Sequence, residues 1–440
     1  MKFYSTGKTS EKADFKTAVL QGLAPDGGLY MPDILPKQPA SFWLGLQKES
    51  LQGIAFKIFN LLLKDDFSEK ELKEIVDRAF TFEAPIVQLN PNMFVLELFH
   101  GPTLAFKDFG ARTMAAILSV FARRDGEKIT IITATSGDTG AAVAHGFHKA
   151  PGVEVYILYP SGQVSSIQEK QFTTLGQNIT ALEVDGTFDD CQRLVKECFA
   201  DEGIKFSKQL TTANSINIAR LLPQMIYYIH ATVGLMGAGA STGINNNNGN
   251  RILCSVPSGN FGNLTAGLLA RKMGLPVSRF LAATNSNNVV PDFLNLGHFA
   301  PRASLRTISN AMDVGNPSNF ARMLDLYQED QKAMCRDITG VWYNDEQTSS
   351  AIREVWERYG YLMDPHTAVG YSGCRDHMRT GEYGLILATA HPAKFPETIE
   401  QLLPGILKTP ERLQATAKLE KKALSISAHI DSLRQVLMEN

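Results

Sequence analysis

Three short stretches bring together residue types suited to amine, hydroxyl and phosphate chemistry. Pro257-Ser258-Gly259-Asn260-Phe261-Gly262-Asn263 follows an apolar run and opens a helical one. Its two glycines let the backbone turn tightly, and the unsatisfied N–H groups of a helix start make a site for an anion. The spacing is not that of a dinucleotide fingerprint, and no acidic residue stands about twenty positions on to hold a ribose. Gly7-Lys8-Thr9 lacks the upstream glycine and the preceding strand of a Walker loop.

The second stretch, His100 to Phe109, sets one lysine, Lys107, among Leu104, Ala105, Phe106 and Phe109. Burial disfavours the ammonium form, and an amine with a depressed pKa is a nucleophile for an aldehyde. A surface pairing of Lys107 with Asp108 or another carboxylate is the competing reading. The third stretch, Ala134 to Gly140, ends a β-branched run with Thr135, Ser136, Gly137, Asp138 and Thr139. Hydroxyls and N–H groups at the carboxyl end of a strand suit a carboxylate ligand. Helix capping by Asp138 or Thr139 is compatible with that role.

These stretches need a scaffold, and the chain between them alternates. Strands are expected at 128–133, 153–159, 179–184, 252–256 and 280–284, and helices at 141–147, 165–176, 187–202, 214–234 and 262–274. The alternation predicts an α/β fold with a mostly parallel sheet. Residues 14–82 read as a helical cap with turns, with an amphipathic run over 41–60. The Gly/Ala/Ser stretch 236–250, ending in a run of asparagines, reads as a mobile surface loop. The tail after Pro410 reads as an amphipathic terminal helix. Three parts are expected: an N-terminal block over 1–94, a lobe carrying Lys107 over 95–235, and a lobe carrying the glycine loop over 251–440. The lobes are expected to be discontinuous in sequence, with approximate boundaries.

The 440 residues carry 43 Lys+Arg against 45 Asp+Glu, a net charge of −2, with no basic block. Nucleic-acid grips need clustered positive charge, so the expected partner is a small molecule, without nucleic acid, membrane or obligate protein partner. The five cysteines form no CxxC pair and no closely spaced framework. No apolar run approaches the roughly 18 residues of a membrane span. A cytoplasmic protein is expected. No His/Cys/Asp/Glu cluster has metal-ligand spacing, so no metal is expected.

Taken together, the segments PDGGLYMP, HGPTLAFKDFGAR, TATSGDTG, TTANSINIAR, SVPSGNFGN and ATAHPAKFPE resemble those of the fold-type II pyridoxal-phosphate enzymes and, within them, the threonine synthase family. The resemblance runs over most of the chain. It implies a tryptophan synthase β-like α/β architecture, with two open, mostly parallel sheets flanked by helices and an N-terminal helical block. It implies pyridoxal 5'-phosphate as cofactor, carried by Lys107 as a Schiff base, its phosphate held by Gly259, Asn260, Phe261, Gly262 and Asn263. Thr389 matches the hydroxyl that faces the pyridine nitrogen.

The implied activity is conversion of O-phospho-L-homoserine and water into L-threonine and phosphate, with the substrate carboxylate at Thr135 to Thr139. The substrate phosphate needs its own cations, for which Arg112 and Arg220 are the leading candidates and Lys394 a third, with Asn214 and Ser215 facing the substrate. His100, His366 and His391 are left outside the catalytic set. Two alternatives stay open: another fold-type II lyase such as a serine/threonine dehydratase, and a silent paralogue that binds an amino-phosphate.

Overall fold

A five-stranded and a six-stranded sheet divide the chain between them. The computed structural model describes residues 1–135, 137–237 and 251–439. The five-stranded sheet contains β6 (Ile129–Ala134), β7 (Val153–Pro160), β8 (Ile179–Asp185), β9 (Gln209–Thr211) and β14 (Leu424–Ser427), in the order β14-β8-β7-β6-β9. All its pairings are parallel. The six-stranded sheet contains β4 (Ile86–Asn90), β5 (Met93–Glu97), β10 (Ile252–Pro257), β11 (Arg279–Thr284), β12 (Ile338–Trp342) and β13 (Tyr383–Ala388). Its order is β12-β11-β10-β13-β5-β4, and only β4 runs antiparallel to its neighbour.

The central strands β6, β10 and β11 are buried along their whole length, as strands covered by helices on both faces must be. That is why they read as continuous apolar and small-residue runs rather than as an alternation. Five expected strands are present within a residue or two of their expected limits.

The N-terminal block is less purely helical than its sequence suggests. Beside its helices it holds a small antiparallel sheet of β1 (Lys2–Ser5), β2 (Ala13–Asp14) and β3 (Tyr30–Pro32), in the order β2-β1-β3. The amphipathic run over 41–60 is two helices, Ala40–Gly45 and Leu51–Leu63. Ser50 makes the break, its hydroxyl accepting the N–H of Gly53 as an N-cap.

Two further expectations are corrected. The helix expected over 214–234 starts at Ile218, tightens to a 3-10 turn at Leu222–Gln224 and resumes over Met225–Gly237. Asn217 caps its start and Pro223 interrupts its ladder. The terminal helix is two short helices, Glu411–Ala417 and Ile430–Glu439, separated by β14. The exposed edge of β8 offers unpaired backbone groups, and Leu424 to Ser427 satisfy them.

The two sheets are interleaved in sequence. β4 and β5 join the sheet of β10 to β13, while β14 joins the sheet of β6 to β9. Each sheet is thus completed by a segment from the other side of the expected division at 95 and 235. Most of the 236–250 stretch lies outside the described residues.

Candidate functional site

The carboxyl ends of β6, β10 and β13 are each followed by one of the singled-out segments. After β13, the backbone oxygen of Thr389 accepts the N–H of Phe106 at 2.9 Å, and the N–H of His391 donates to Leu104 O at 3.0 Å. An antiparallel bridge joins Ala105 to Ala390. This lacing fixes the chain just before Lys107, the first residue of the helix Lys107–Asp125. Leu104 takes a left-handed φ of 61° there, a conformation that costs a branched residue about 1 kcal/mol or more. Asp108 secures the same turn, accepting the N–H and hydroxyl of Thr103 at 2.8 and 2.7 Å. Burial raises its carboxyl pKa to about 6 against those bonds.

The Lys107 amine has no hydrogen-bond or ion-pair partner among the described residues. Burial, opposed by Asp138 and reinforced by Lys394 and Arg220, lowers its pKa to about 8. Asp138 opens the helix Asp138–Phe147 after β6. It pairs with Lys394 at 2.6 Å, and its Oδ1 accepts from Gln168 at 2.9 Å. Burial works to raise the Asp138 carboxyl pKa, but the Lys394 and Lys107 ammonium charges outweigh it and hold the group ionised. Lys394, fully enclosed, also donates to Thr103 O at 2.9 Å. The two lysines and the aspartate therefore form one charge cluster, in which Lys394 is ion-paired with Asp138 and Lys107 makes no hydrogen bond or ion pair among the described residues.

Thr135 spends its hydroxyl on the turn after β6. Its Oγ1 accepts the N–H groups of Gly137 at 3.0 Å and Gly140 at 2.7 Å. Gly137, with φ of 145°, sits where a Cβ would lie 2.6 Å from the Gln168 amide oxygen, so only glycine fits. Thr139 is partly exposed at the same helix start. Ser136 lies outside the described residues.

The glycine loop after β10 is held from two sides. Asn260 donates to Ser215 Oγ at 3.2 Å and accepts the N–H of Ser318 on its side-chain oxygen at 2.8 Å. Phe261, with a left-handed φ of 60°, precedes the helix Gly262–Lys272. A Cβ on Gly259 would meet Ala311 O at 2.8 Å and Met312 Cα at 2.9 Å. The oxygen of the Asn263 side chain accepts from the Tyr227 and Tyr228 hydroxyls at 2.6 and 2.8 Å, while its buried amide nitrogen has no partner.

These features fit pyridoxal phosphate. An amine with a lowered pKa, a bare glycine cradle at a helix start and an orphaned buried amide are what an aldehyde carrying a phosphate would engage.

The structure does not bring every candidate to this place. Arg112 turns to the N-terminal block, where its guanidinium donates to Ala79 O at 3.0 Å, Arg78 O at 2.6 Å and the Thr81 hydroxyl at 2.9 Å. It satisfies the last carbonyls of the helix Glu69–Ala79, so the expectation that it holds a substrate phosphate is corrected. Arg220 does lie in the field of Lys107. It is buried, donates to Ala213 O and keeps an unpartnered Nε. Burial lowers its pKa to about 10. Asn214 accepts from the Thr133 hydroxyl of β6, and Ser215 reaches the glycine loop. His366 is structural in its contacts, with Nδ1 2.7 Å from Asp364 and Nε2 accepting the N–H of Ala311 at 3.1 Å. The sequence reading missed Asn319, Arg322 and the two tyrosines, whose burial no local pattern announces.

Comparison with known proteins identifies first the class. A family model described as pyridoxal-phosphate dependent enzyme matches residues 82–387, and the chain belongs to that family. Flanking it, models for the threonine synthase N terminus and the threonine synthase C-terminal region match residues 2–80 and 367–437. The chain is 44% identical to threonine synthase from Escherichia coli, with all of both chains covered, and 34% identical to that of Saccharomyces cerevisiae, covering 99% of this chain and 97% of the relative. A crystal structure of threonine synthase with bound pyridoxal phosphate from Brucella melitensis superposes with a TM-score of 0.92 at 32% identity, covering 100% of this chain and 99% of that one. The protein is a member of the threonine synthase family.

Proposed function

We propose that the chain makes L-threonine and phosphate from O-phospho-L-homoserine and water, with pyridoxal phosphate held at Lys107. The observation that carries this reading is the Lys107 amine, lowered in pKa, without a hydrogen-bond or ion-pair partner among the described residues, and in the field of Asp138 after β6 and Lys394 after β13. When bound, the cofactor supplies an electron sink for carbanion charge at the substrate. Lys107 is the residue that holds it, and its amine moves protons among the substrate carbons Cα, Cβ and Cγ. The γ C–O bond breaks with the electron pair leaving on phosphate, and the oxygen of water joins Cβ.

In this reading, backbone N–H groups of Gly259 to Asn263 hold the cofactor phosphate, and the Thr389 hydroxyl faces the pyridine nitrogen. The turn from Thr135 to Thr139 takes the substrate carboxylate, through groups other than the Thr135 hydroxyl and the Gly137 N–H, which engage each other. Asn214, Ser215 and Arg220 border the substrate, with Arg220 the remaining arginine for its phosphate. Asp138 and Lys394 keep the Lys107 proton mobile by setting its charge environment. A cytoplasmic enzyme fits the five free cysteines. Among the described residues no helix is long and apolar enough to cross a membrane.

The test is a visible absorbance spectrum of the purified protein, with phosphate release from O-phospho-L-homoserine measured beside it. Wild-type protein should absorb above the protein band and release phosphate, and Lys107→Ala should do neither. A wild-type chain that takes up no cofactor, or a Lys107→Ala chain that still retains it after borohydride reduction, would overturn the reading.

A further inference from the structure

Behind the glycine loop lies an arginine whose charge nothing nearby cancels. Arg322 is fully enclosed, and no carboxylate lies within ion-pair distance of it among the described residues. Its guanidinium donates only to uncharged oxygens. Nε donates to Tyr30 O at 3.2 Å, Nη2 to Tyr30 O at 3.1 Å and Ile216 O at 2.6 Å, and Nη1 to Asn319 Oδ1 at 2.7 Å and Ser215 O at 3.5 Å. Burial lowers its pKa to about 9, which leaves it charged at neutral pH. Such oxygens replace water around a cation but do not neutralise it, and a buried charge without a counter-charge is costly to keep.

The position of this cation supplies the missing anion. Asn319, which accepts from Arg322, gives its backbone N–H to Asn260 O at 3.3 Å. Its side-chain nitrogen reaches Ser215 Oγ at 3.4 Å and lies 3.3 Å from where a Cβ on Gly262 would stand. The guanidinium is thus one residue removed from the loop and shares with it both Asn319 and Ser215. In a water-poor interior its field crosses that distance with little screening.

We propose that Arg322 is the buried counter-charge of the cofactor phosphate. It is a positioning residue that shapes the 259–263 loop through Asn319 and makes a dianion the preferred occupant. The inference rests on the reading that this loop takes the phosphate. It adds a structural link, because Tyr30 belongs to β3, so the N-terminal block is tied to the cofactor site through one side chain.

The experiment titrates the full-length, cofactor-free chain with pyridoxal phosphate and, separately, with pyridoxal, which has the aldehyde but no phosphate. Affinities are read from absorbance. Wild type should prefer the phosphorylated compound, and equal affinities would overturn both the loop reading and the role of Arg322. With that preference in hand, Arg322→Met should lose at least about tenfold of it, roughly 1.4 kcal/mol, with pyridoxal affinity unchanged. An Arg322→Met chain that keeps the full preference, or loses affinity for both compounds equally, overturns the role of Arg322 and leaves the loop reading standing. Should that variant not fold, Arg322→Lys decides: it keeps the charge with fewer hydrogen bonds and should stay within about threefold of the wild-type preference. A tenfold loss there refutes the inference.

Discussion

At the scale of the residue, the proposed chemistry turns on how many protons Lys107 holds. With its pKa near 8, about one amine in ten is neutral at pH 7. Capture of pyridoxal phosphate by the cofactor-free chain should therefore accelerate about tenfold per pH unit below 8 and level off above it, as stopped-flow absorbance would show. Lys394→Met removes a neighbouring positive charge that depresses this pKa, and it should move the inflection upward. An inflection that stays put or falls would rule out the charge cluster as its cause. The sign for stability follows. The native amine binds its proton less tightly than the unfolded one, so the contribution of this group rises with pH between about 8 and 10.5.

Gly259 offers a steric counterpart. In Gly259→Ala the new methyl group would press on backbone atoms of Ala311 and Met312, which give way only if the loop shifts. A cost of about 1–3 kcal/mol in denaturant unfolding is expected, together with weaker cofactor binding.

Elements rather than residues decide how firmly the glycine loop is anchored. The helix Met225–Gly237 presents Tyr227 and Tyr228, both donating to the same oxygen of Asn263. Losing either hydroxyl leaves that oxygen one partner, so Tyr227→Phe and Tyr228→Phe should each cost about 1 kcal/mol. The double variant leaves the acceptor buried and empty. It should cost about 1–3 kcal/mol beyond the sum, a coupling that a double-mutant cycle by urea unfolding measures directly.

Much of this level is readable from the chain. β6, β10 and β11, buried along their whole length, announce themselves as runs of apolar and small residues, β7 and β8 as β-branched runs broken by a few polar residues, and the loops after β6 and β10 carry their candidate chemistry in consecutive residues. β1, β2, β3 and β14 do not, being only two to four residues long, too short for a periodicity to stand out. Lys107 and the 259–263 loop can be singled out from the sequence for the same local reason. The diversion of Arg112 to the carbonyls of Arg78 and Ala79, and the enclosure of Arg322, depend on which helix ends and loops meet in three dimensions, which spacing does not encode.

At the scale of the molecule, the final segment completes the sheet that carries the Asp138 loop. Ile426, Leu433 and Leu437 are buried there against β8 and its covering helices. Removing residues 420–440 should forfeit on the order of 5 kcal/mol of apolar burial and bare the edge of β8. A lower melting temperature and earlier elution on size exclusion are expected. A truncated chain that melts and elutes like the full one would show that β14 is dispensable.

The interleaving of the two sheets also imposes an order on biosynthesis. β5 leaves the ribosome long before its parallel neighbour β13, and β8 long before β14. Domains commonly fold as units while translation proceeds, but neither sheet here is a contiguous unit. The Thr389 carbonyl that laces the strip before Lys107, and the Lys394 that tunes its amine, are likewise late arrivals. Until β13 and the segment after it emerge, a nascent chain should carry Lys107 as an ordinary, protonated lysine. The lowered pKa of the Lys107 amine thus arrives only together with the enclosure that causes it.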